Sequence, residues 1–264
     1  MHKLGLMMLN LCIFFCMEKE DSMGVADIHT HMMYDVDDGA EDIDVSLDMI
    51  RSSYDAGIDT IVLTPHFGPK AKEDATLELL QERRTELEKI ARERIDQKIC
   101  LYLGHEVYYR EDMIEKLKTG GILTINDTKY ILVEFRVGDS FSRILRGLQN
   151  IQYAGYRPIV AHVERYGAVF KKQEYLEQIL DLGVYLQMNV NCLIGGLFDR
   201  EAAYCRKIFN EHKIHFLASD CHRMDWREPM TIDQLEFLKL KCEKEWLLKV
   251  LYEHPRKILD GHYI

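Results

Sequence analysis

Histidine and carboxylate side chains follow six apolar runs in this sequence, and each run has the length of a β-strand. In chain order these polar residues are His29 and His31, His66, Glu106, Glu134, His162, and Asp220 with His222. Neutral imidazoles and carboxylates are the ligands that zinc, manganese and iron prefer in proteins. If the runs are parallel strands of one barrel, their carboxyl ends meet at one face. The pattern therefore predicts a multinuclear metal centre.

The segments that must position these residues alternate between strand-like and helix-like patterns along the chain. Strands are predicted over 25–28, 60–64, 99–103, 130–135, 158–163, 184–190 and 215–219. Helices are predicted over 43–56, 73–97, 111–118, 141–154, 174–182, 200–211, 232–241 and 244–252. Seven β/α repeats predict an α/β fold with a parallel sheet. Ligands on six separate strands favour a distorted seven-stranded (β/α)7 TIM-like barrel over an open sheet.

The domain organisation predicted from the sequence is simple. Residues 24–264 contain no linker rich in proline, glycine or serine, so we expect a single domain there. Residues 4–17 are nearly all apolar, but this run is too short to span a bilayer comfortably, and no small-x-small cleavage site follows. We interpret residues 1–23 as an N-terminal extension produced by a start codon assigned too early. A signal peptide is the less favoured alternative.

The amino-acid composition and net charge of the chain argue against some classes of function. The 264 residues are 47% hydrophobic and 30% charged, which is ordinary for a soluble globular protein. The formal net charge of −10 argues against a nucleic-acid partner held by phosphate contacts. Seven cysteines without a Cys-x-x-Cys pair fit the reduced thiols of a cytoplasmic protein. No transmembrane segment is expected.

An acidic turn, Asp35-Val36-Asp37-Asp38-Gly39, directly follows the first strand. One interpretation is a further carboxylate ligand for the metal centre. The other is a solvent-exposed loop whose carboxylates cap the helix that begins just beyond it. Both interpretations can hold, because the turn contains more carboxylates than one site needs.

Two arginines lie on loops at the same predicted face, Arg165 after the fifth strand and Arg227 after the last. A planar guanidinium group offers paired donors that suit phosphate oxygens. Surface salt bridges to Glu164 and Glu228 explain these arginines equally well, and such pairs contribute little to stability.

Cys221 and Arg227 also satisfy the Cys-x5-Arg spacing of cysteine-dependent phosphatases. In such a loop, glycines let backbone N–H groups approach the phosphate, and a lowered thiol pKa activates the nucleophile. Here the loop has no glycine, and Asp225 would repel a phosphate. Side-chain alternation also directs Cys221 away from its two neighbours. We therefore predict a buried thiol, not a nucleophile.

The ordered ligand set resembles the PHP (polymerase and histidinol phosphatase) superfamily. More closely, the segments 27–31 and 35–39 resemble the capsule- and exopolysaccharide-associated bacterial tyrosine-protein phosphatases, as do 104–109, 132–135, 158–166 and 218–222. One departure is Phe67, an apolar residue directly after His66 where relatives often carry arginine. The resemblance extends from about Val25 to the region of Arg227.

The resemblance implies a three-ion cluster, with Mn²⁺ favoured and Fe or Zn as alternatives. The implied ligands are His29, His31, Asp38, His66, Glu106, Glu134, His162, Asp220 and His222. Asp37 is the alternative to Asp38 as the ninth ligand. Arg165, Arg227 and Asp38 are the implied catalytic residues, with the two arginines holding the phosphate.

The implied activity is hydrolysis of phosphotyrosine by a metal-bound hydroxide, with no phosphoenzyme. The implied substrate is the tyrosine-rich tail of a bacterial tyrosine kinase that regulates capsular or exopolysaccharide synthesis, through which the protein would associate peripherally with the membrane. One alternative is a small-molecule phosphomonoesterase that acts on a metabolite such as histidinol phosphate. Another is a non-catalytic metal-binding regulator.

Overall fold

The computed structural model describes residues 24–196 and 198–264, so the predicted extension over residues 1–23 lies outside the described residues. The strands are β1 (Val25–Thr30), β2 (Ile58–Leu63), β3 (His66–Phe67), β4 (Cys100–Leu103), β5 (Glu106–Tyr108), β6 (Tyr130–Glu134), β7 (Arg157–Val160), β8 (Tyr185–Asn189) and β9 (Phe216–Ala218). The helices are α1 (Ile43–Asp55), α2 (Leu77–Arg94), α3 (Met113–Lys118), α4 (Phe141–Tyr153), α5 (Gly167–Phe170), α6 (Gln173–Asp181), α7 (Arg200–Asn210), α8 (Ile232–Lys241), α9 (Lys244–Leu248) and α10 (His254–Leu259).

The strands form two parallel sheets, with strand orders β1-β2-β4 and β3-β5-β6-β7-β8-β9. An isolated parallel bridge between Thr30 and Cys221 links the end of β1 to the segment after β9. The predicted α/β fold with parallel strands is confirmed. The predicted count of seven strands is not, because the described residues contain nine.

Two of the predicted strands are each followed, after a break of two residues, by a further short strand, and each break has a local cause. Pro65 separates β2 from β3, and proline has no N–H to donate to a strand ladder. Gly104 separates β4 from β5, at a point where a Cβ atom would lie 3.2 Å from Cα of Ile125. After each break the chain continues in the same direction, so that β3 and β5 bring their polar residues to the same end of the molecule.

Alternate residues of the strands belong to two buried apolar clusters, as the period of two of a β-strand requires. In β6, Ile131 and Val133 belong to the larger cluster, whereas Tyr130 and Leu132 belong to the smaller. Ile258 of α10 also packs into the smaller cluster. The strands are therefore covered on both faces, as in a parallel sheet with helices around it.

The long charged helix is shorter than predicted, and its charged face is only partly solvated. Thr76 caps the N-terminus of α2, its side chain accepting a hydrogen bond from the backbone N–H of Leu79. Arg84 and Arg92 of α2 donate to backbone carbonyls of the β4 region, at 3.0 Å and 2.7 Å, and Glu88 accepts from a β4 N–H at 3.1 Å. These side chains satisfy the open edge of β4, which would otherwise be free to pair with another chain.

The C-terminal helix is longer than the predicted 244–252. After α9 it continues as a π-helical segment (Lys249–Glu253) and then as α10. Pro255 lies at the point where the π-helical segment passes into α10. Within the described residues, no helix has both the length and the apolar character needed to cross a bilayer.

His215 connects β8, β9 and the C-terminal helix, and it makes stability depend on pH. Its Nδ1 accepts from the N–H of Leu186 at 3.1 Å, and its carbonyl oxygen lies 2.8 Å from Nδ1 of His254. Burial, followed by the charge of His254, lowers the pKa of His215 to about 4. Between pH 6.5 and pH 4, His215 is therefore protonated in the unfolded chain but neutral in the folded chain. The free energy of unfolding consequently falls as the pH falls through this range.

We expect a His215→Asn variant, which retains an acceptor for the Leu186 N–H, to lose less stability on acidification. Between pH 7 and pH 4.5 the wild type should lose about 2 kcal/mol more than the variant. Urea unfolding of both proteins at both pH values measures this difference. Equal losses in the two proteins would contradict the prediction.

Candidate metal centre

Glu106, the first residue of β5, is the central carboxylate of the candidate site. Its Oε2 lies 3.3 Å from Nε2 of His29, 3.2 Å from Nε2 of His31 and 3.0 Å from Nδ1 of His66. Its Oε1 lies 2.8 Å from Nε2 of His162. Four predicted histidine ligands from three strand ends thus surround one predicted carboxylate ligand, and all five residues are buried.

Three further carboxylates complete the cluster. Oδ1 of Asp38 lies 3.2 Å from Nε2 of His66 and 3.4 Å from Nε2 of His222. Oδ1 of Asp220 lies 3.5 Å from Nε2 of His29 and 3.5 Å from Nε2 of His31. Oε1 of Glu134 lies 3.6 Å from Nε2 of His162. The structure therefore brings together all nine residues predicted as ligands.

Ligand atoms within 4.8 Å of one another form three groups among the described residues. The groups are His31, Asp38, His66 and His222; His29, His31, Glu106 and Asp220; and His66, Glu106 and Glu134. His31, His66 and Glu106 each belong to two groups. Shared residues of this kind are what a cluster of adjacent ions requires.

Two observations test whether these residues fit metal ions. Oε2 of Glu106 and Oδ1 of Asp38 are buried without a hydrogen-bond partner, which is costly for a carboxylate unless a cation compensates it. The ammonium group of Lys70 lies 3.0 Å from Nε2 of His66 and 3.2 Å from Oδ2 of Asp38. The site thus already attracts a positive charge to the ligand atoms. The donor set fits a cluster of divalent cations.

The electrostatics of the cluster keep the carboxylates of Glu106 and Asp220 ionised, whereas burial and the charge of Glu106 raise the pKa of Glu134. Burial alone would raise the pKa of Glu106 and Asp220, yet neighbouring imidazoles, with His29 the largest influence, hold both pKa values well below their usual range. Burial opposes a charge on His31, but Asp37 and other carboxylates raise its pKa well above the usual value. Metal ions need ionised carboxylates as ligands, and this cluster supplies them at neutral pH.

The acidic turn places Asp38, not Asp37, among the ligand atoms. Oδ2 of Asp37 lies 2.7 Å from Nδ1 of His31 and accepts from the backbone N–H of His66 at 3.0 Å. Its Oδ1 accepts from the N–H of Gly39 at 2.9 Å. Asp37 therefore helps to orient two predicted ligands, His31 and His66. Carboxylates that bond to the non-ligating side of a histidine commonly fix the orientation of ligating histidines in this way. Only glycine fits at position 39, because a Cβ atom would lie 2.1 Å from the carbonyl oxygen of His31.

Sequence reasoning missed two residues of β8 that support the cluster. Oε1 of Gln187 lies 3.0 Å from Nδ1 of His29 and accepts from the N–H of His162 at 2.7 Å. This amide oxygen can only accept, so Nδ1 of His29 carries the proton and Nε2 is left free as a ligand atom. Nδ2 of Asn189 donates to Oδ2 of Asp220 at 3.0 Å. The sequence feature that could have identified these two residues is the presence of amide side chains at positions 187 and 189, alternate positions of an otherwise apolar strand.

The two predicted phosphate-binding arginines lie beside the cluster. Nη2 of Arg165 lies 2.5 Å from Oδ2 of Asp220, and Nη1 of Arg227 lies 3.5 Å from the same oxygen. Each arginine side chain is 27% exposed. Both arginines therefore form ion pairs with a predicted metal ligand, and the described residues show no ion pair from either arginine to Glu164 or Glu228.

The backbone is left-handed at three non-glycine residues of the site. The φ angles are 34° at His162, 53° at Asp220 and 51° at Arg227. This conformation is unfavourable for residues with a side chain and persists only where surrounding contacts impose it. These residues are therefore held in place before any ligand binds.

Cys221 lies in the larger apolar cluster and is fully buried. Burial, followed by the charge of Asp27, raises the pKa of its thiol well above the usual value. A protonated, inaccessible thiol is not a nucleophile. The structure agrees with the prediction of a core thiol.

The side chain of Phe67, which directly follows His66, packs against His105 and Lys116. Its ring lies 5.4 Å from the ring of His105, and the ammonium of Lys116 lies 5.2 Å from its centroid. The cation near His66 comes instead from Lys70, four residues along the chain. The sequence analysis did not identify this lysine.

The fold and the site together define an α/β protein with a candidate multinuclear metal centre at the carboxyl ends of its parallel strands. The chain belongs to the CpsB/CapC family of capsular polysaccharide synthesis, whose sequence model matches residues 25–260. It is 34% identical over 243 residues to tyrosine-protein phosphatase CpsB of Streptococcus agalactiae, with 90% of this chain and 99% of that protein covered. It is 31% identical over 243 residues to tyrosine-protein phosphatase YwqE of Bacillus subtilis, with 90% and 92% covered.

Among solved structures, the chain is similar to one from work on YwqE of Bacillus subtilis and CpsB of Streptococcus pneumoniae, described there as unique metal-dependent tyrosine phosphatases. The TM-score is 0.78 at 26% identity, and the match covers 90% of this chain and 96% of that one. The resemblance to capsule-associated tyrosine phosphatases is thereby confirmed at the level of the family.

Proposed function

We propose that this chain is a metal-dependent protein-tyrosine phosphatase of bacterial capsular or exopolysaccharide synthesis. The observation that carries the proposal is the cluster of imidazoles and carboxylates around Glu106, with two arginines beside it on Asp220. The family supports the reaction, since its relatives are named tyrosine-protein phosphatases.

The nine residues of the cluster would hold the metal ions, namely His29, His31, Asp38, His66, Glu106, Glu134, His162, Asp220 and His222. Three overlapping groups of ligand atoms support a count of three ions, and the mixture of nitrogen and carboxylate ligands suits manganese, iron or zinc. Manganese is our first choice. Bound divalent ions lower the pKa of water and neutralise charge on a phosphoryl group.

The protein's own residues position the substrate. Arg165 and Arg227 donate to the phosphate oxygens, and their shared contact with Asp220 fixes both guanidinium groups before the substrate arrives. Phosphoryl transfer depends mainly on such positioning and charge stabilisation. A tyrosine phenolate, whose conjugate acid has a pKa of about 10, leaves without a strong general acid. Since Cys221 is buried, we propose no covalent phosphoenzyme.

The exposure of the site favours a protein substrate over a small metabolite. The side chains of Arg165 and Arg227 are each 27% exposed, and that of Asp38 is 35% exposed. A phosphotyrosine on a flexible tail can reach such a face, whereas a metabolite phosphatase gains from enclosing its substrate. We propose the tyrosine-rich tail of a bacterial tyrosine kinase as the substrate, with the protein in the cytoplasm and associated with the membrane only through that kinase.

We also infer that the two sheets act as one distorted seven-stranded barrel of the PHP type. β3 continues β2, and β5 continues β4, each after two residues. The bridge between Thr30 and Cys221 links the first strand to the segment after the last. This arrangement directs the strand ends, and the ligands on them, to one face.

The test of the proposed function is phosphate release from a phosphotyrosine peptide. We expect activity to disappear when a chelator removes the metal and to return when Mn²⁺ is added back. A Cys221→Ser variant should retain activity within about twofold, because its thiol takes no part. Activity that survives the chelator but disappears in Cys221→Ser would overturn the proposal in favour of a thiol mechanism.

A further inference from the structure

We propose that Trp226 is a specificity-determining residue that contacts the aromatic ring of the substrate and so selects aryl phosphates over alkyl phosphates. The inference rests on the proposed function, because it concerns the same site. The evidence for this role is the conformation of the turn between His222 and Arg227, which brings the indole of Trp226 next to the candidate metal centre.

The turn is closed by two backbone hydrogen bonds. The N–H of His222 donates to the carbonyl of Arg227 at 2.9 Å, and the N–H of Arg223 donates to the carbonyl of Trp226 at 3.1 Å. The left-handed φ of 51° at Arg227 completes the turn. These constraints fix the position of the indole relative to the candidate metal centre.

The indole of Trp226 lies next to His222, a predicted metal ligand, and next to Arg227, a residue predicted to bind the phosphate. Its ring centroid is 5.3 Å from that of His222, at an interplanar angle of 73°. The guanidinium carbon of Arg227 lies 4.5 Å from the indole centroid. A phosphate held by Arg227 would therefore place its leaving group beside this ring.

Half of the indole surface remains available. Trp226 is 50% exposed, although it is the largest apolar side chain next to the cluster. An exposed aromatic surface at the rim of a charged site suits an aryl group, because aromatic rings attract one another in offset or edge-to-face arrangements. A serine or threonine phosphate offers no such ring.

The experiment compares two non-hydrolysable ligands that differ only in the ring. Isothermal titration calorimetry of the Mn²⁺-loaded protein measures binding of phenylphosphonate and of methylphosphonate. We expect Trp226→Ala to weaken phenylphosphonate binding about tenfold and to change methylphosphonate binding less than twofold. Trp226→Phe should retain most of the preference for phenylphosphonate. Tyr153→Ala removes an exposed aromatic of α4, which is 86% exposed, and serves as the matched control.

Equal weakening of both ligands in Trp226→Ala would overturn the inference, since it would mean that the indole only supports Arg227. A wild type with no preference for phenylphosphonate, or with no binding of it, would overturn the inference too. Binding does not require turnover, so failure of the proposed function is read separately, from the hydrolysis of a phosphotyrosine peptide by the same samples.

Discussion

An Asp220→Asn variant is expected to lose phosphatase activity by about three orders of magnitude or more. The substitution keeps the shape of the side chain but removes its charge. Oδ1 of Asp220 lies 3.5 Å from Nε2 of His29 and of His31, and Oδ2 contacts Arg165 and Arg227. One charge thus serves both the metal cluster and the two phosphate-binding groups, and its loss should affect metal binding and substrate binding together.

Steady-state kinetics with a phosphotyrosine peptide and metal analysis of the purified protein check this prediction. Asp225→Asn is the matched control, because Asp225 lies on the exposed turn five residues further on. We expect the control to keep wild-type activity. An Asp220→Asn protein with full metal content and activity within tenfold of the wild type would mean that Asp220 is not part of the active centre.

Much of the site follows from the sequence because its residues lie where strands end. An apolar run followed by histidine or a carboxylate is visible without coordinates, and parallel strands align their ends. The resemblance favoured Asp38 as the ninth ligand, with Asp37 as the alternative. Tertiary contact supports that choice, since the carboxylate of Asp37 is taken up by His31, His66 and Gly39.

The contributions of other residues depend on contacts that no local pattern contains. In the sequence, Gln187 is an ordinary polar residue of a strand. Only the structure shows that its amide oxygen contacts Nδ1 of His29 and accepts a hydrogen bond from the N–H of His162. The indole of Trp226 lies beside His222 in a turn that two backbone hydrogen bonds close, a contact that the sequence does not show. The nine strands in place of seven arise from short breaks, whose effect on the ladder depends on neighbouring strands.

A Glu106→Gln variant is expected to lose both metal binding and activity, the latter by about three orders of magnitude. Oε2 of Glu106 lies within 3.3 Å of nitrogens of His29, His31 and His66, and it has no hydrogen-bond partner. An amide in its place is neutral and puts a donor or a weaker acceptor among the imidazoles. The variant therefore loses the charge that two of the three ligand groups share.

Thermal unfolding with and without Mn²⁺ separates this loss from misfolding. A ligand present at about 1,000 times its dissociation constant stabilises the folded state by about 4 kcal/mol. We expect metal-stripped wild type to gain stability on this scale when Mn²⁺ is added, and Glu106→Gln to gain much less. The exposed Glu111 provides the control Glu111→Gln, which should respond like the wild type. A Glu106→Gln protein that Mn²⁺ stabilises as strongly as the wild type would show that the ions bind elsewhere, because no other carboxylate oxygen of the cluster approaches three imidazoles as closely among the described residues.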